Sequence, residues 1–325
     1  MSRKRTNIFR EEGNDSMQQF TLDQLTSQYL ARNYDYLWLK TMLEKCGSVP
    51  PRSTLITGSS HALNGIWEGA WASAINCSMH SQDIYYDYLC ARHAITSTKE
   101  HRFNKCFIVM GYYIAFQDLS SSKNSRESVV SNIYYPIFHD SHNWEDPIEH
   151  DPWAWVNGVP AEVKTVCEQA AAQTILTAGT YYSHLRSRGT FFNLQGRTWA
   201  QVSEHERQIM GRTRAESHNK LFQHKESFEE NKMILQAFVS FLYEHDVLPI
   251  VVVTPFTSEY NQSVLQEIKE SVCELVDSVQ EDVHYVDFNE NAEGIFSPSD
   301  FMDTDHLSAD GAKKVSNILA ELFGA

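Results

Sequence analysis

Three residue types that together perform nucleophilic catalysis stand at the ends of predicted strands. A short apolar run stops at Gly58, and Ser59 and Ser60 follow it directly. Far along the chain, the segment FMDTDHLSADG places Asp303 three residues before His306. A serine hydroxyl needs a base to take its proton, and an acid usually orients that base. We therefore take Ser60 as the candidate nucleophile, His306 as the candidate base and Asp303 as the candidate orienting acid.

The spacing of the acid and the base supports this assignment. Side chains three residues apart can lie on one side of a turn. Asp303 can then hold one ring nitrogen of His306 while the other nitrogen faces Ser60. Asp305 competes for the orienting role, but the spacing favours Asp303. The alternative interpretation makes Ser60 a plain helix N-cap and His306 a surface residue beside the last helix.

An alternating pattern of strands and helices would position these residues. Five short apolar runs predict buried strands at 54–57, 74–78, 106–112, 248–254 and 283–288. Helical patterns cover 21–46, 62–72, 82–98, 226–245, 258–279 and 308–323. Strands that alternate with helices pair in parallel, and near-continuous apolar strands indicate a sheet covered on both faces. The prediction is an α/β fold: a three-layer α/β/α sandwich around a mainly parallel five-stranded sheet, with ligands beyond the carboxyl ends of the strands.

The domain organisation follows from where the alternation of predicted strands and helices is interrupted. Residues 1–52 are predicted to form an N-terminal segment and helix, with 1–19 polar and loosely ordered. Residues 53–325 are predicted to form one α/β domain with a mostly helical insertion at about 119–225. Within the insertion, 120–128 is predicted to be a loop and 161–187 a helix. Long insertions of this kind are usually functional lids or partner surfaces.

Composition excludes several classes of function. The 325 residues carry a net charge of −15, which argues against nucleic acid or an anionic membrane as the main partner. The chain has no apolar stretch of spanning length and no apolar segment after its basic N-terminus, so we expect a cytoplasmic protein without a membrane span. Its six cysteines form no CxxC pair. They predict reduced thiols and no metal site.

Two motifs resemble the SGNH/GDSL hydrolase superfamily. GSSHALNG is similar to its first block, Gly-Asp-Ser followed by glycine, and DTDHLSADGAKKVS resembles its last block, Asp-x-x-His-Leu-Ser-x-x-Gly. The blocks stand in the family's order, and the resemblance covers 53–118 and 226–323 but not the insertion. It implies a flavodoxin-like, SGNH-type fold, the catalytic roles given above for Ser60, His306 and Asp303, and no cofactor. The Gly-Ser-Ser form also resembles branches that act in polysaccharide O-acylation.

The family's two oxyanion blocks are not recognisable in this chain. The stretch NCSMHSQD lacks the glycine of the second block, so Ser78 or Ser81 would offer only a backbone N–H. The stretch MGYYIAFQD contains Gly111 but lacks the asparagine of the third block, Gly-x-Asn-Asp. Losing one oxyanion donor costs about 3–4 kcal/mol of transition-state stabilisation. The side chains that could fill this gap or contact substrate are Asn76, Gln82, Gln117 and His61.

Two further groups of residues have both a functional and a structural interpretation. Trp144, Trp153 and Trp155 could stack on sugar rings or pack the insertion against the sheet. The basic stretch at 212–220 could bind an anionic group or balance nearby acids.

The sequence predicts a serine-dependent acyl-ester hydrolase or O-acyltransferase of SGNH type, acting on a small-molecule or glycan acyl ester. The alternative is a non-catalytic or weakly catalytic SGNH-like protein that binds a glycan or a protein. No feature indicates an oligomeric state.

Overall fold

One parallel sheet of five strands forms the centre of the protein. The computed structural model describes residues 20–97, 101–178, 192, 194–290 and 294–324. The sheet order is β2-β1-β3-β4-β5, and every pairing is parallel. The strands are β1 Ser53–Gly58, β2 Ala74–Asn76, β3 Phe103–Met110, β4 Leu248–Val253 and β5 His284–Asp287. Each predicted strand is confirmed within a few residues, and the order is that of flavodoxin-like sheets.

Helices surround this sheet in the described part of the chain, and ten of them are labelled α1 to α10. They are α1 Leu22–Arg32, α2 Tyr34–Cys46, α3 Ser60–Gly65, α4 Ile84–Thr96, α5 Ala161–Ala178, α6 Glu204–Asn219, α7 Lys225–Glu244, α8 Ser258–Asn261, α9 Gln266–Asp277 and α10 Ala309–Phe323. Short helical turns add to them, among them a 3₁₀ turn at Tyr112–Phe116. Within the residues that the structure describes, no helix combines the length and the apolar character needed to cross a bilayer.

Several predicted element boundaries are wrong. The single helix predicted at 21–46 is two helices, because Asn33 leaves the helical conformation with φ −119° and ψ 22°. The helix predicted at 258–279 is likewise divided into α8 and α9. Part of the loop predicted at 120–128 is helical, since a turn at Lys123–Ser125 leads into a π-helix, Arg126–Tyr134. Residues 1–19 and the predicted helical residues 179–187 lie outside the described part.

The two faces of the sheet build two separate cores. Cys106, Ile108 and Met110 of β3 face a large core with α1, α2, α4, α5, α7 and α9. Phe107 and Val109, which alternate with them, face a smaller core with α3 and α10. Alternate side chains of a strand point to opposite faces, so helices cover both faces. The predicted three-layer α/β/α architecture is confirmed.

Aromatic residues of the insertion pack against the N-terminal helix rather than the sheet. Trp153 stacks on Tyr29 with ring centroids 4.2 Å apart, and its indole N–H donates to Glu168 at 2.9 Å. The guanidinium of Arg32 lies over Trp155 at 5.1 Å. Trp153 and Trp155 are therefore packing residues, but they pack against a helix and not against the sheet as predicted.

The strand order reverses between β1 and β3, which are neighbours in the sheet. From β1 the chain moves outward to β2, whereas from β3 it continues on the other side to β4 and β5. Gly58 pairs with Val109 at the carboxyl end of this central pair. In open parallel sheets, the ligand crevice lies outside the strand ends at such a reversal. The segments that follow β1 and β3 therefore face each other across the expected crevice.

Candidate active site

The turn between β1 and α3 presents Ser60. Gly58 has φ +146°, and a Cβ at this position would lie 2.1 Å from the carbonyl oxygen of Val109. Only glycine therefore lets β1 end so close to β3. Ser59 is the N-cap of α3, since its Oγ accepts the N–H of His61 at 3.4 Å. Ser60 is thus the first helical residue, and its side chain is left for another partner.

A closed loop presents the acid and the base. Phe301 and Leu307 form an isolated antiparallel bridge, so the chain between them makes a tight excursion. Thr257, which follows β4, holds this loop from outside: its N–H and its hydroxyl donate to the carbonyl oxygen of Thr304 at 3.3 and 2.7 Å. The loop is therefore anchored at both its base and its tip.

The structure brings Ser60, His306 and Asp303 into one hydrogen-bonded chain. Ser60 Oγ lies 2.8 Å from His306 Nε2, and His306 Nδ1 lies 3.0 Å from each carboxylate oxygen of Asp303. Asp303 Oδ1 also accepts the backbone N–H groups of Asp305 and His306 at 3.0 and 2.8 Å. A carboxylate at Nδ1 keeps the proton there and leaves Nε2 as the acceptor. This is the geometry of a serine activated by a histidine.

The surroundings of His306 stabilise its protonated form. Burial acts to lower the pKa of the imidazole, but the carboxylates of Asp303 and Asp305 outweigh burial and raise the pKa above its ordinary value. An imidazole with these neighbours can accept the serine proton and hold it as an imidazolium.

Asp305 has a different partner. Arg214, on α6, makes a bidentate pair with it: Nε lies 3.1 Å from both carboxylate oxygens, and Nη2 lies 3.0 Å from Oδ2. Its Oδ1 is 3.8 Å from His306 Nδ1, whereas Asp303 is at 3.0 Å. Burial opposes ionisation of Asp305, but the charges of His306 and Arg214 lower its pKa. Asp303 is therefore the orienting neighbour by geometry, and Asp305 is the counterion of Arg214.

Replacing Asp305 with asparagine should lower the free energy of unfolding by about 3–5 kcal/mol, because it removes the carboxylate charge from a mostly buried ion pair with the Arg214 guanidinium. The side chain of Asp305 is 0% exposed and that of Arg214 is 14% exposed. Urea denaturation of the purified variant measures this loss. Asp310→Asn is the matched control: its pair with Lys313 is exposed, so the change should be below about 1 kcal/mol. Equal losses in the two variants would contradict the assignment.

Asn76 and Ser78, two of the oxyanion candidates, bind each other and the backbone. The N–H of Ser78 donates to Asn76 Oδ1 at 3.0 Å, and Asn76 Nδ2 donates to the carbonyl oxygen of Ala62 at 3.2 Å. Asn76 thus ties the end of β2 to α3. The Ser78 N–H already has an acceptor in this arrangement.

Gln82, Gln117 and Ser81 also make contacts that do not involve Ser60. The Gln82 amide donates to Asp87 Oδ1 at 2.6 Å and to the carbonyl oxygen of Cys77 at 3.3 Å. The Gln117 amide donates to the carbonyl oxygen of Ser81 at 2.6 Å. These two amides therefore hold neighbouring segments of the protein.

His61 forms a buried wall of the site. It is 1% exposed, and its ring lies nearly parallel to that of His306, with centroids 5.1 Å apart. Burial, followed by the charge of His306, lowers its pKa to about 3. A neutral imidazole therefore lies against the ring of His306. The sequence suggested that His61 could contact substrate, but its side chain has almost no exposed surface with which to do so.

Tyr113 is a site residue that the sequence did not reveal. It lies in the 3₁₀ turn after β3, its ring packs edge-on against that of His61 with centroids 5.8 Å apart, and its hydroxyl lies near the side chains of Ser59 and Ser60. An aromatic residue in an apolar run is typical of a core position, so its type and place in this run give no sign of a role in the site. A usable signal was its position two residues after Gly111, where the family's third block has asparagine.

Two groups of side chains have the donor types of a metal site. In each, three potential ligand atoms lie within 4.8 Å of one another: His61, Asp305 and His306 in one, and Asp83, Asp118 and His142 in the other. The first overlaps the hydrogen-bonded chain at Ser60. In the second, Asp83 already accepts the N–H groups of Tyr86 and Leu119. Both groups are therefore engaged within the protein.

A cavity of about 710 Å³ lies beside the loop that carries the acid and the base. Its wall includes the ion pair of Arg207 and Glu259, whose Nε and Oε1 are 2.8 Å apart. Its aromatic lining residues are Trp199, Phe256, Phe288, Phe296 and Phe301. None of Ser60, His306 and Asp303 lines the cavity. Its lining residue Phe256 meets the ring of His61 with centroids 5.4 Å apart, and His61 in turn lies beside His306.

Comparison with known proteins adds no family assignment: no family model and no curated protein matches this chain.

Proposed function

We propose that this protein is a serine-dependent acyl-ester hydrolase or O-acyltransferase of the SGNH type. The observation that carries the proposal is the pair of contacts around His306, with Ser60 Oγ 2.8 Å from Nε2 and Asp303 3.0 Å from Nδ1. The side chains come from positions 246 residues apart in the chain and meet only through the fold. A buried serine that is merely structural has no need of a base that is itself oriented by a carboxylate.

The proposed reaction has two halves, the formation and the breakdown of the acyl-enzyme, and the three side chains play the same roles in both. Ser60 Oγ attacks the ester carbonyl carbon while its proton passes to His306 Nε2. The carbonyl electron pair moves onto oxygen and returns as the C–O bond to the leaving alcohol breaks. That alcohol takes the proton from His306. Water or a sugar hydroxyl then repeats the sequence on the acyl-enzyme, and Asp303 holds the imidazole throughout.

An acylated carbohydrate is the proposed substrate class. The cavity beside the loop supports this class, since it combines aromatic faces with the polar side chains of Ser258, Arg207 and Glu259. Aromatic faces pack on the C–H surface of sugars, and polar groups around them fix orientation.

A panel of acyl esters that varies in chain length, assayed with and without sugar acceptors, tests this proposal. Release of free acid indicates hydrolysis, and an acylated sugar indicates transfer. Turnover of no ester under any of these conditions would overturn the catalytic proposal.

The rate of ester cleavage should rise with pH through one ionisation above pH 6.5, the ordinary value for histidine. His306 must be neutral to accept the serine proton, and its neighbouring carboxylates raise its pKa. Below that pKa the base is already protonated, so activity is lost as pH falls. A pH-stat measurement of kcat/KM gives the profile of the free enzyme. A midpoint below pH 6.5 would contradict this assignment of the base.

A binding protein without catalysis is the second candidate. Two observations favour it: Ser60 is only 6% exposed, and the Ser78 N–H already has an acceptor. Labelling with a fluorophosphonate separates the two candidates. Labelling of the wild-type protein that is lost in Ser60→Ala supports the enzyme. Absence of labelling, together with glycan binding that survives in Ser60→Ala, supports the binding protein.

A further inference from the structure

We propose that the phenol hydroxyl of Tyr113 is the side-chain donor that stabilises the oxyanion formed when Ser60 attacks an ester. This inference rests on the proposed function and deepens it. It names the group that acts where the expected glycine and asparagine are missing.

The fold delivers Tyr113 to the nucleophile from the opposite side of the crevice. Ser60 follows β1, and Tyr113 follows β3 at the point where the strand order reverses. A Cβ on Gly111 would lie 2.7 Å from His61 Nε2 and 3.0 Å from Tyr113 Cε1. The absence of a side chain at Gly111 therefore lets the tyrosine ring close onto α3, with its hydroxyl beside Ser59 and Ser60.

Two imidazoles hold the ring of Tyr113 in this orientation. His218 stacks on it with centroids 3.7 Å apart, and His61 meets it edge-on at 5.8 Å. His218 is itself fixed, since its Nδ1 lies 2.5 Å from the hydroxyl of Tyr260. A donor that is held before the reaction needs no reorganisation when charge develops.

The protonation state of Tyr113 suits a donor and not a base. Burial raises its pKa to about 12, against the opposing charge of Arg214, so the phenol keeps its proton at neutral pH. In the adduct, the oxyanion is bonded to the same carbon as Ser60 Oγ, within reach of a hydroxyl that already neighbours Ser60. The serine proton goes to His306, and Tyr113 contributes a hydrogen bond without transferring a proton.

Few other described side chains could donate a hydrogen bond to the oxyanion. The three amides that could serve instead are Asn76, Gln82 and Gln117, and each donates to a neighbouring carbonyl or carboxylate group. The hydroxyl of Tyr113 instead lies near the nucleophile.

Tyr113→Phe tests the inference. We expect kcat for the best ester of the panel to fall about 10²–10³-fold, as for the loss of one oxyanion donor, with little change in KM. A trifluoromethyl ketone, which forms a tetrahedral oxyanion on Ser60, should lose affinity by the same factor as kcat/KM. Tyr112→Phe is the matched control: it removes the neighbouring phenol hydroxyl, which donates to Asp287 at 2.5 Å, and should keep the rate.

The outcomes separate this inference from the proposed function. A wild-type rate and ketone affinity in Tyr113→Phe, with Ser60→Ala inactive, would overturn the role of Tyr113 alone. Absence of ester cleavage and of fluorophosphonate labelling in the wild-type protein would overturn both. If Tyr113→Phe does not fold, 3,5-difluorotyrosine at position 113 keeps the ring and lowers the phenol pKa. Activity should then fall as pH rises through that lower pKa, and a profile without this loss would refute the inference.

Discussion

Ser60→Ala should reduce ester cleavage by about 10⁴–10⁶-fold, the range for loss of a triad serine. Without Oγ there is no atom to form the acyl-enzyme, and only binding and oxyanion stabilisation remain. The fold should survive, because the change removes a single side-chain hydroxyl, which contacts His306, and alanine is readily accommodated in a helix. Fluorophosphonate labelling should disappear together with the activity.

Single-turnover kinetics on the purified variant, with circular dichroism to verify folding, gives this result directly. Ser53→Ala is the control. Ser53 is a buried serine at the amino end of β1, the strand that precedes Ser60, and its hydroxyl donates to the Pro50 carbonyl oxygen. It should label and turn over like the wild-type protein. Persistent labelling of Ser60→Ala would place the nucleophile elsewhere.

Asp303→Asn should reduce kcat by about 10⁴-fold, because the amide would select the wrong tautomer of His306. The N–H groups of Asp305 and His306 both donate to Asp303 Oδ1. An asparagine would keep its carbonyl oxygen there and turn its NH₂ group toward His306 Nδ1. Nδ1 would then accept, the proton would move to Nε2, and Nε2 could no longer take the serine proton.

The measurement is kcat at saturating ester, with the variant and the wild-type protein compared at one pH on their activity plateau. Asp300→Asn is the control. Asp300 lies three residues before Asp303, is also buried, and pairs with Lys314 at 2.8 Å. It should retain nearly all activity while losing some stability. Loss of activity in Asp300→Asn equal to that in Asp303→Asn would show that the loop tolerates no change, and would remove the evidence for a tautomer effect.

The sheet was predictable because its strands carry local signals. The runs at 106–112 and 248–254 are apolar almost throughout, which only a sheet covered on both faces accommodates. The break at Asn33 was not predictable from periodicity, since neither glycine nor proline marks it. Its amide donates to the carbonyl oxygens of Tyr29 and Pro152. The second of these is 119 residues away, and such a contact exists only after folding.

The proximity of Ser60, His306 and Asp303 could be anticipated for a similar reason. Parallel strands bring their carboxyl ends to one edge, so residues after β1 and after β5 were expected to be close. In the sequence, spacing alone favours Asp303 over Asp305. The structure adds that Arg214, 91 residues earlier in the chain, binds Asp305. Tyr113 was hidden because nothing local distinguishes a hydroxyl that faces a nucleophile from one that faces the core.

The small core on one face of the sheet joins the two segments that carry Ser60 and His306. It contains residues of both α3, which begins at Ser60, and α10, which follows His306. Trp67 just after α3 also donates its N–H to Ser316 of α10 at 2.7 Å. The helices α1, α2 and α5 belong to the large core on the opposite face. Substitutions that loosen the packing of α1, α2 or α5 should therefore change the distance between Ser60 and His306 less than substitutions in the small core.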